Sequence, residues 1–387
     1  MKFIKFFINL FGILIFSALI YITVAYASKE TVLYYYKWHD KQYDWLAEYK
    51  DVKIKDKYKI VFIISDPTII ADREAGNRML AACRNLGWEV HDFEMIAGHE
   101  EEIRKINPDF IFTNKWNLHF GLKEKLAGYK VYALLPHPTA TYFSGFFNFY
   151  PKFKDNKFPE LKFLDGFVIS MPQVSLFKHY IEKQGRKFYG FKGYSSVQYQ
   201  DFVEVEHNQL VYMGMNWDSR RRSGKFSKIF KMLAERQEAI FYGSANSWEN
   251  LVGNAYKGYF QGSGVAVLDM LRKSGISLMF HSKQHMKSGA PSGRGFEAAA
   301  SGVIGISDKH PFLVENFGDS FLYIDVDTSA EKIVMQIEKH LVWIKQNPNK
   351  AKAKARKAYD IFINNYTLEK LLLNVAHMHE KILLDEK

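Results

Sequence analysis

Three groups of side chains in this 387-residue chain are of types and spacings that could do chemistry. The first lies in GAPSGRGFEAAASGVIGISD, Gly289 to Asp308, where Arg294 and Glu297 precede the run Ala298-Ala299-Ala300-Ser301-Gly302 and the strand-like Val303 to Ile306. Residues three apart share a helix face. A Glu at such a helix start can accept two hydrogen bonds from a ribose diol, and an Arg can meet a diphosphate or a sugar hydroxyl. The alternative is an Arg-Glu pair worth only a few tenths of a kcal/mol to the helix. Gly293 and Gly295 would let a ligand approach the backbone. The second group is GMNWDSRRRSGK, in which Gly214 permits a tight turn while Arg220, Arg221, Arg222 and Lys225 bring positive charge to a helix start. Helix amino termini favour phosphate and Arg adds bidentate bonds; a basic solvated turn is the plainer reading. The third comprises His137, in LLPHPTATY, and Asp66, at the end of a strand. Either suits a general base, and either also suits an ordinary loop or turn.

The elements that must position these groups follow a β-α rhythm. Lys57 to Ser65 reads as a strand, DPTIIADREAGN as a loop, Arg78 to Leu86 as a helix and Trp88 to Phe93 as a strand. A helix over Glu100 to Ile106 follows, then strands at Asp109 to Thr113, Lys130 to Leu135 and Gly166 to Ser170, and a helix at Ser175 to Gln184. The rhythm restarts after Asn208, with strands at Gln209 to Met213, Ala239 to Tyr242, Ile276 to Phe280, Val303 to Ser307 and Phe321 to Ile324. Helices are expected at Lys225 to Arg236, Val265 to Lys273, Arg294 to Ser301 and Ala330 to Gln346. Such alternation predicts α/β architecture with parallel sheets covered on both faces. Two Rossmann-like halves in tandem place a ligand in the cleft between them, near the carboxyl ends of their strands.

Composition narrows the class. The chain is 47% hydrophobic, 16% aromatic and carries a formal charge of +11, which favours anionic partners such as phosphates, nucleotides or an acidic membrane face. The basic residues are dispersed and no nucleic-acid motif stands out, so no nucleic-acid partner is expected. The single cysteine, Cys83, excludes an intramolecular disulfide and a cysteine-rich metal site, and its apolar-periodic setting predicts a buried thiol. At the amino end Lys2 and Lys5 precede an uncharged run from Phe6 to Ser28, long enough to cross about 30 Å of hydrocarbon. It reads as an uncleaved anchor, although Ala25-Tyr26-Ala27 also offers a small-x-small cleavage pattern. Asp325-Val326-Asp327 suits helix capping, Gly262-Ser263-Gly264 a loop, and His281 and His285 lack a third zinc ligand.

GRGFEAAASGVIGISD resembles the Glu-Ala-x-Ala-x-Gly signature of GT-B glycosyltransferases of the group 1 type, especially the branch like the spore-maturation glycosyltransferases, with its Arg-x-Phe-Glu form. VYMGMNWDSRRR is similar to that branch's strand and Gly-x-x-x-x-x-Arg turn, IFYGSANSW to its Tyr-Gly strand end, and DGFVISMPQVSLFKHYIEKQG to the last unit of the amino half. The likeness covers roughly Lys57 to Leu384 and is strong from Val211 to Asp308.

The resemblance implies a GT-B fold with an inter-domain cleft, plus the transmembrane helix. The expected divisions are an anchor at 1–28, a stalk at 29–56, an acceptor domain at 57–205, a nucleotide-sugar domain at 206–362 and a terminal helix at 363–387. It implies sugar transfer from a nucleotide-diphosphate donor as co-substrate, without cofactor or metal, to a glycan, lipid-linked or protein acceptor. Glu297 would hold the ribose; Arg294, Arg220 and Lys225 would contact the donor, with Gly214 and Gly295 shaping its site; His137 and Asp66 would be the candidate catalytic residues. The Glu that many retaining members carry eight residues before the ribose Glu is Gly289 here, so neither the sugar nor the stereochemical course follows. A non-catalytic nucleotide- or glycan-binding protein, or a sugar-nucleotide epimerase or phosphorylase, are the alternatives. Donor supply places the body on the cytoplasmic face in a bacterium, or in a Golgi-type lumen in a eukaryote.

Overall fold

The computed structural model describes residues 40–64, 70–94, 98–114, 128–135, 163–214, 218–259 and 264–387, with isolated positions 15 and 161. The expected membrane segment at 1–28 lies, but for Ile15, outside the described residues. Among the described residues no helix is long and apolar enough to cross a membrane.

Two parallel sheets organise the chain. The amino-terminal sheet contains β1 (Lys59–Ile63), β2 (Glu89–Phe93), β3 (Phe110–Thr113), β4 (Lys130–Leu135), β5 (Gly166–Ile169) and β6 (Gly190–Lys192), in the order β2-β1-β3-β4-β5-β6. The carboxyl-terminal sheet contains β7 (Gln209–Met213), β8 (Ala239–Tyr242), β9 (Gly275–Met279), β10 (Ile304–Asp308) and β11 (Leu322–Ile324), in the order β11-β10-β9-β7-β8. Every strand pair is parallel. Continuous apolar runs such as KIVFI form these strands because helices cover both faces of the sheet. The carboxyl-terminal order reverses between β7 and β9, and such a switch point opens a crevice at the strands' carboxyl ends.

Helix α1 (Ile70–Asn85) begins well before the expected Arg78. Gly76 and Asn77 disguise it in the sequence, yet Gly76 is there for packing, since a Cβ would lie 3.0 Å from Ile64 Cγ1. The longer helix puts Glu74 and Arg78 one turn apart. After α2 (Glu100–Ile106) and α3 (Val174–Glu182), strand β6 was not expected, being only three residues long. Beyond α4 (Gly224–Glu235), helix α5 (Ala245–Val252) was also unexpected. Its polar stretch is anchored by Trp248, whose ring is buried against Tyr212, Phe230 and Phe241 while Nε1 donates to the Gly214 carbonyl at 2.8 Å.

The chain then runs through α6 (Gly264–Ser274), α7 (Lys283–Ser288), α8 (Gly293–Ala300), α9 (Pro311–Phe317), α10 (Ala330–Gln346), α11 (Pro348–Asn365) and α12 (Leu368–Asp385). The last helix returns to the amino-terminal core, where Leu372, Val375, Ala376 and Met378 are buried. Asn85 donates to Glu369 at 2.7 Å, and Tyr132 hydrogen-bonds with His379 at 2.7 Å. The described part of the expected stalk also lies against this core: Trp45 and Tyr49 are buried, and the Tyr49 hydroxyl accepts from the Gly190 amide at 2.9 Å.

Candidate active site

Arg220 lies in the turn between β7 and helix α4, whose amino end Ser223 caps, at the carboxyl edge of the sheet. Arg220 Nη1 donates to Asp308 Oδ2 at 2.9 Å and also meets the His281 carbonyl. Its guanidinium lies over the Phe226 ring, 5.1 Å from the centroid, a favourable cation–π arrangement. Asp308, the last residue of β10, is fully buried and also accepts from the His281 amide at 3.1 Å and from His281 Nδ1 at 2.6 Å. Because a carboxylate only accepts, Nδ1 carries a proton and donates it to Asp308. The ring's other nitrogen, Nε2, is buried and has no hydrogen-bond partner among the described residues. The ring stacks on His310 at 4.2 Å. Burial pushes the Asp308 carboxyl up, but His281 and Arg220 outweigh it and hold it below the ordinary range. Burial and the neighbouring His281 lower His310 to about 3, so it is neutral.

The remaining basic residues of the turn are engaged elsewhere. Arg221 pairs with Asp218, and Lys225 Nζ donates to the Val326 carbonyl at 2.7 Å and the Thr328 carbonyl at 3.3 Å. Gly214 keeps an unstrained backbone, and its neighbour Gly243 is the more constrained position. A Cβ on Gly243 would fall 2.2 Å from the Gly214 carbonyl oxygen.

Glu297 and Arg294 stand on α8 as the spacing predicts, paired at 2.5 Å between Nη1 and Oε2. The second oxygen is taken from across the molecule. Arg78 Nη2, on α1 of the amino-terminal half, donates to Glu297 Oε1 at 2.6 Å, and Glu74 lies 3.7 Å from the same guanidinium. Glu297 is 2% exposed and Arg78 6% exposed. Burial raises the Glu297 carboxyl, yet Arg294 and Arg78 together bring it below its ordinary value. Gly293 and Gly295 have protein neighbours: a Cβ on Gly295 would lie 2.8 Å from Leu313 Cδ2, and one on Gly293 3.7 Å from the Ser195 carbonyl. Gly289 ends α7 in the left-handed region, at φ 74°, where a Glu would be strained. His137 and Asp66 lie outside the described residues.

Residues 220–375 match a family model described as glycosyl transferase-like. Two solved structures share the overall arrangement. One is sucrose-phosphate synthase from Thermosynechococcus elongatus, at 11% identity and a TM-score of 0.52, covering 84% of this chain and 100% of that one. The other is the trehalose-6-phosphate phosphatase N-terminal domain of Candida albicans, at 10% identity and a TM-score of 0.50, covering 85% and 98%. The chain has the GT-B fold, and its residues 220–375 are similar to a glycosyl transferase-like family. A search of curated proteins gave no match.

Within this GT-B fold the sequence-derived residues fall into two clusters. Arg220 stands at the ends of β7, β9 and β10; Glu297 and Arg294 stand on α8 against the amino-terminal half. Sequence reasoning missed Arg78, which has only the spacing Glu74-x-x-x-Arg78 to mark it, and that spacing straddled the boundary between a supposed loop and the expected helix start. It also passed over Asp308 and set His281 aside as a failed zinc ligand. A buried Asp-His pair formed by the end of one strand and the loop after another has no local signal.

Proposed function

We propose that the protein transfers a sugar from a nucleotide-diphosphate donor, bound on the carboxyl-terminal half, to a glycan, lipid-linked or protein acceptor. The observation that carries this reading is Arg220, fixed by Asp308 and the His281 carbonyl at the strand ends beside the switch point. Departure of the nucleoside diphosphate develops negative charge, and a cation already oriented towards it lowers the barrier with no reorganisation. Lys225 would join it by exchanging the Val326 and Thr328 carbonyls for phosphate oxygens. Glu297 would hold the ribose, which requires a ribose hydroxyl to replace Arg78 at Oε1. The Arg294-Gly295-Phe296-Glu297 form supports the branch like the spore-maturation glycosyltransferases.

In this reading His137 or Asp66 supplies the base, and the apolar run at Phe6 to Ser28 tethers the enzyme to a membrane. A body on the cytoplasmic side of a bacterial membrane would meet nucleotide sugars directly. The test is release of UDP or GDP from a panel of nucleotide sugars with a membrane extract as acceptor. Turnover by the wild type, reduced at least a hundredfold in Arg220→Ala, is expected. Tight nucleotide binding with no turnover for any donor would refute the transferase reading in favour of a binding protein.

A further inference from the structure

We propose that Asp308 is a positioning residue for the donor diphosphate, acting through Arg220. The inference deepens the donor reading above and rests on it. Asp308 comes from the end of β10, Arg220 from the turn after β7, and His281 from the end of β9, so three separate strand ends meet at one carboxylate. One edge of the Arg220 guanidinium is fixed: Nη1 is held by both Asp308 and the His281 carbonyl. Its plane is set as well, by the Phe226 ring 5.1 Å away. Arg220 keeps 17% side-chain exposure while Asp308 has none. The cation is therefore gripped from the protein side and faces outward with the rest of its donor fork.

An arginine has five N–H donors in a rigid fork, so gripping one nitrogen orients the others. Without the carboxylate the long side chain regains its rotamers, and a diphosphate would have to immobilise it on binding. Asp308 is in turn held by the His281 ring, whose Nδ1 proton it accepts at 2.6 Å. The carboxylate thus acts as a hinge pin between the ring and the guanidinium, and it has no path to the substrate itself.

The test is a double-mutant cycle on the full chain, read as the dissociation constants of UDP and GDP by calorimetry. Asp308→Asn keeps the shape and removes the charge. It is expected to weaken diphosphate binding about tenfold in the wild-type background and by less than twofold in the Arg220→Ala background. Equal weakening in both backgrounds would mean that Asp308 acts on the fold alone and would overturn the proposal, as would unchanged binding in the first. If Asp308→Asn does not fold, Arg220→Lys decides. A lysine held by Asp308 has no second edge to offer, so its affinity should fall to that of Arg220→Ala, and retention within threefold of wild type would overturn the proposal. Wild-type protein that binds neither UDP nor GDP would sink the donor reading and this inference together, whereas wild-type binding with an indifferent Asp308→Asn sinks the inference alone.

Discussion

Replacing Arg78 by Met tests whether the two halves are tied through Glu297. The guanidinium donates to Glu297 Oε1 at 2.6 Å, and both side chains are more than nine-tenths buried. Removing one member of a buried ion pair costs about 3–5 kcal/mol, because the other charge is left without its partner. Glu297 retains Arg294 at 2.5 Å, which moves the expectation to the lower end, about 3 kcal/mol. Urea unfolding of Arg78→Met, Glu297→Gln and the double variant measures it. The double variant should lose no more than about 1 kcal/mol beyond the worse single variant, since each single change already breaks the same contact. The penalty also depends on pH. Arg294 and Arg78 outweigh burial and depress the Glu297 carboxyl below its ordinary 4.5, so its contribution is complete above that value and is lost as pH falls through the lower, folded-state value. Arg78→Met should therefore lose its disadvantage in strong acid. A loss below 1 kcal/mol at neutral pH, or strict additivity with Glu297→Gln, would refute the tie. If ribose takes the place of Arg78, Arg78→Met also binds UDP or GDP more tightly than wild type; weaker binding refutes that exchange.

Two further predictions concern the amino-terminal core. Burial lowers His379 from 6.5 to about 4, so between those values the unfolded chain holds a proton that the folded chain does not, and stability falls as pH drops across that window. Between pH 7 and pH 5 the wild type should lose about 2 kcal/mol more than His379→Gln in urea unfolding; equal losses would contradict this. Cys83 is fully buried and its thiol is pushed up to about 12 by that burial. Alkylation by iodoacetamide at pH 8 should accordingly follow the unfolding transition, and rapid stoichiometric labelling in native buffer would show the thiol to be accessible.

Much of the fold was legible because it is written locally. Gln209 to Met213, Ala239 to Tyr242 and Lys130 to Leu135 were expected and observed as strands at those bounds, since a short apolar run set between turn residues marks a strand by itself. The helix at Ala330 to Gln346 likewise matched, its apolar stripe and Ser329 cap being set by neighbouring residues. Elements that take their stability from distant partners were harder to read. Helix α5 depends on Trp248 entering a ring cluster from β7, α4 and β8, and the start of α1 hides behind a Gly76 that makes room for Ile64.

The sequence alone determined that there are two parallel α/β halves, and it brought forward Arg220, Arg294 and Glu297, because helical spacing and side-chain chemistry act over a few residues. Only the tertiary structure decided what those groups are doing. It put Arg78, 219 positions away, on the Glu297 carboxylate, and it closed Asp308, His281 and Arg220 around one another from three strand ends. It also gave Gly289 its reason, a left-handed helix end that a Glu would strain. Buried charges must find partners wherever the fold brings them, and no spacing along the chain records which ones those will be.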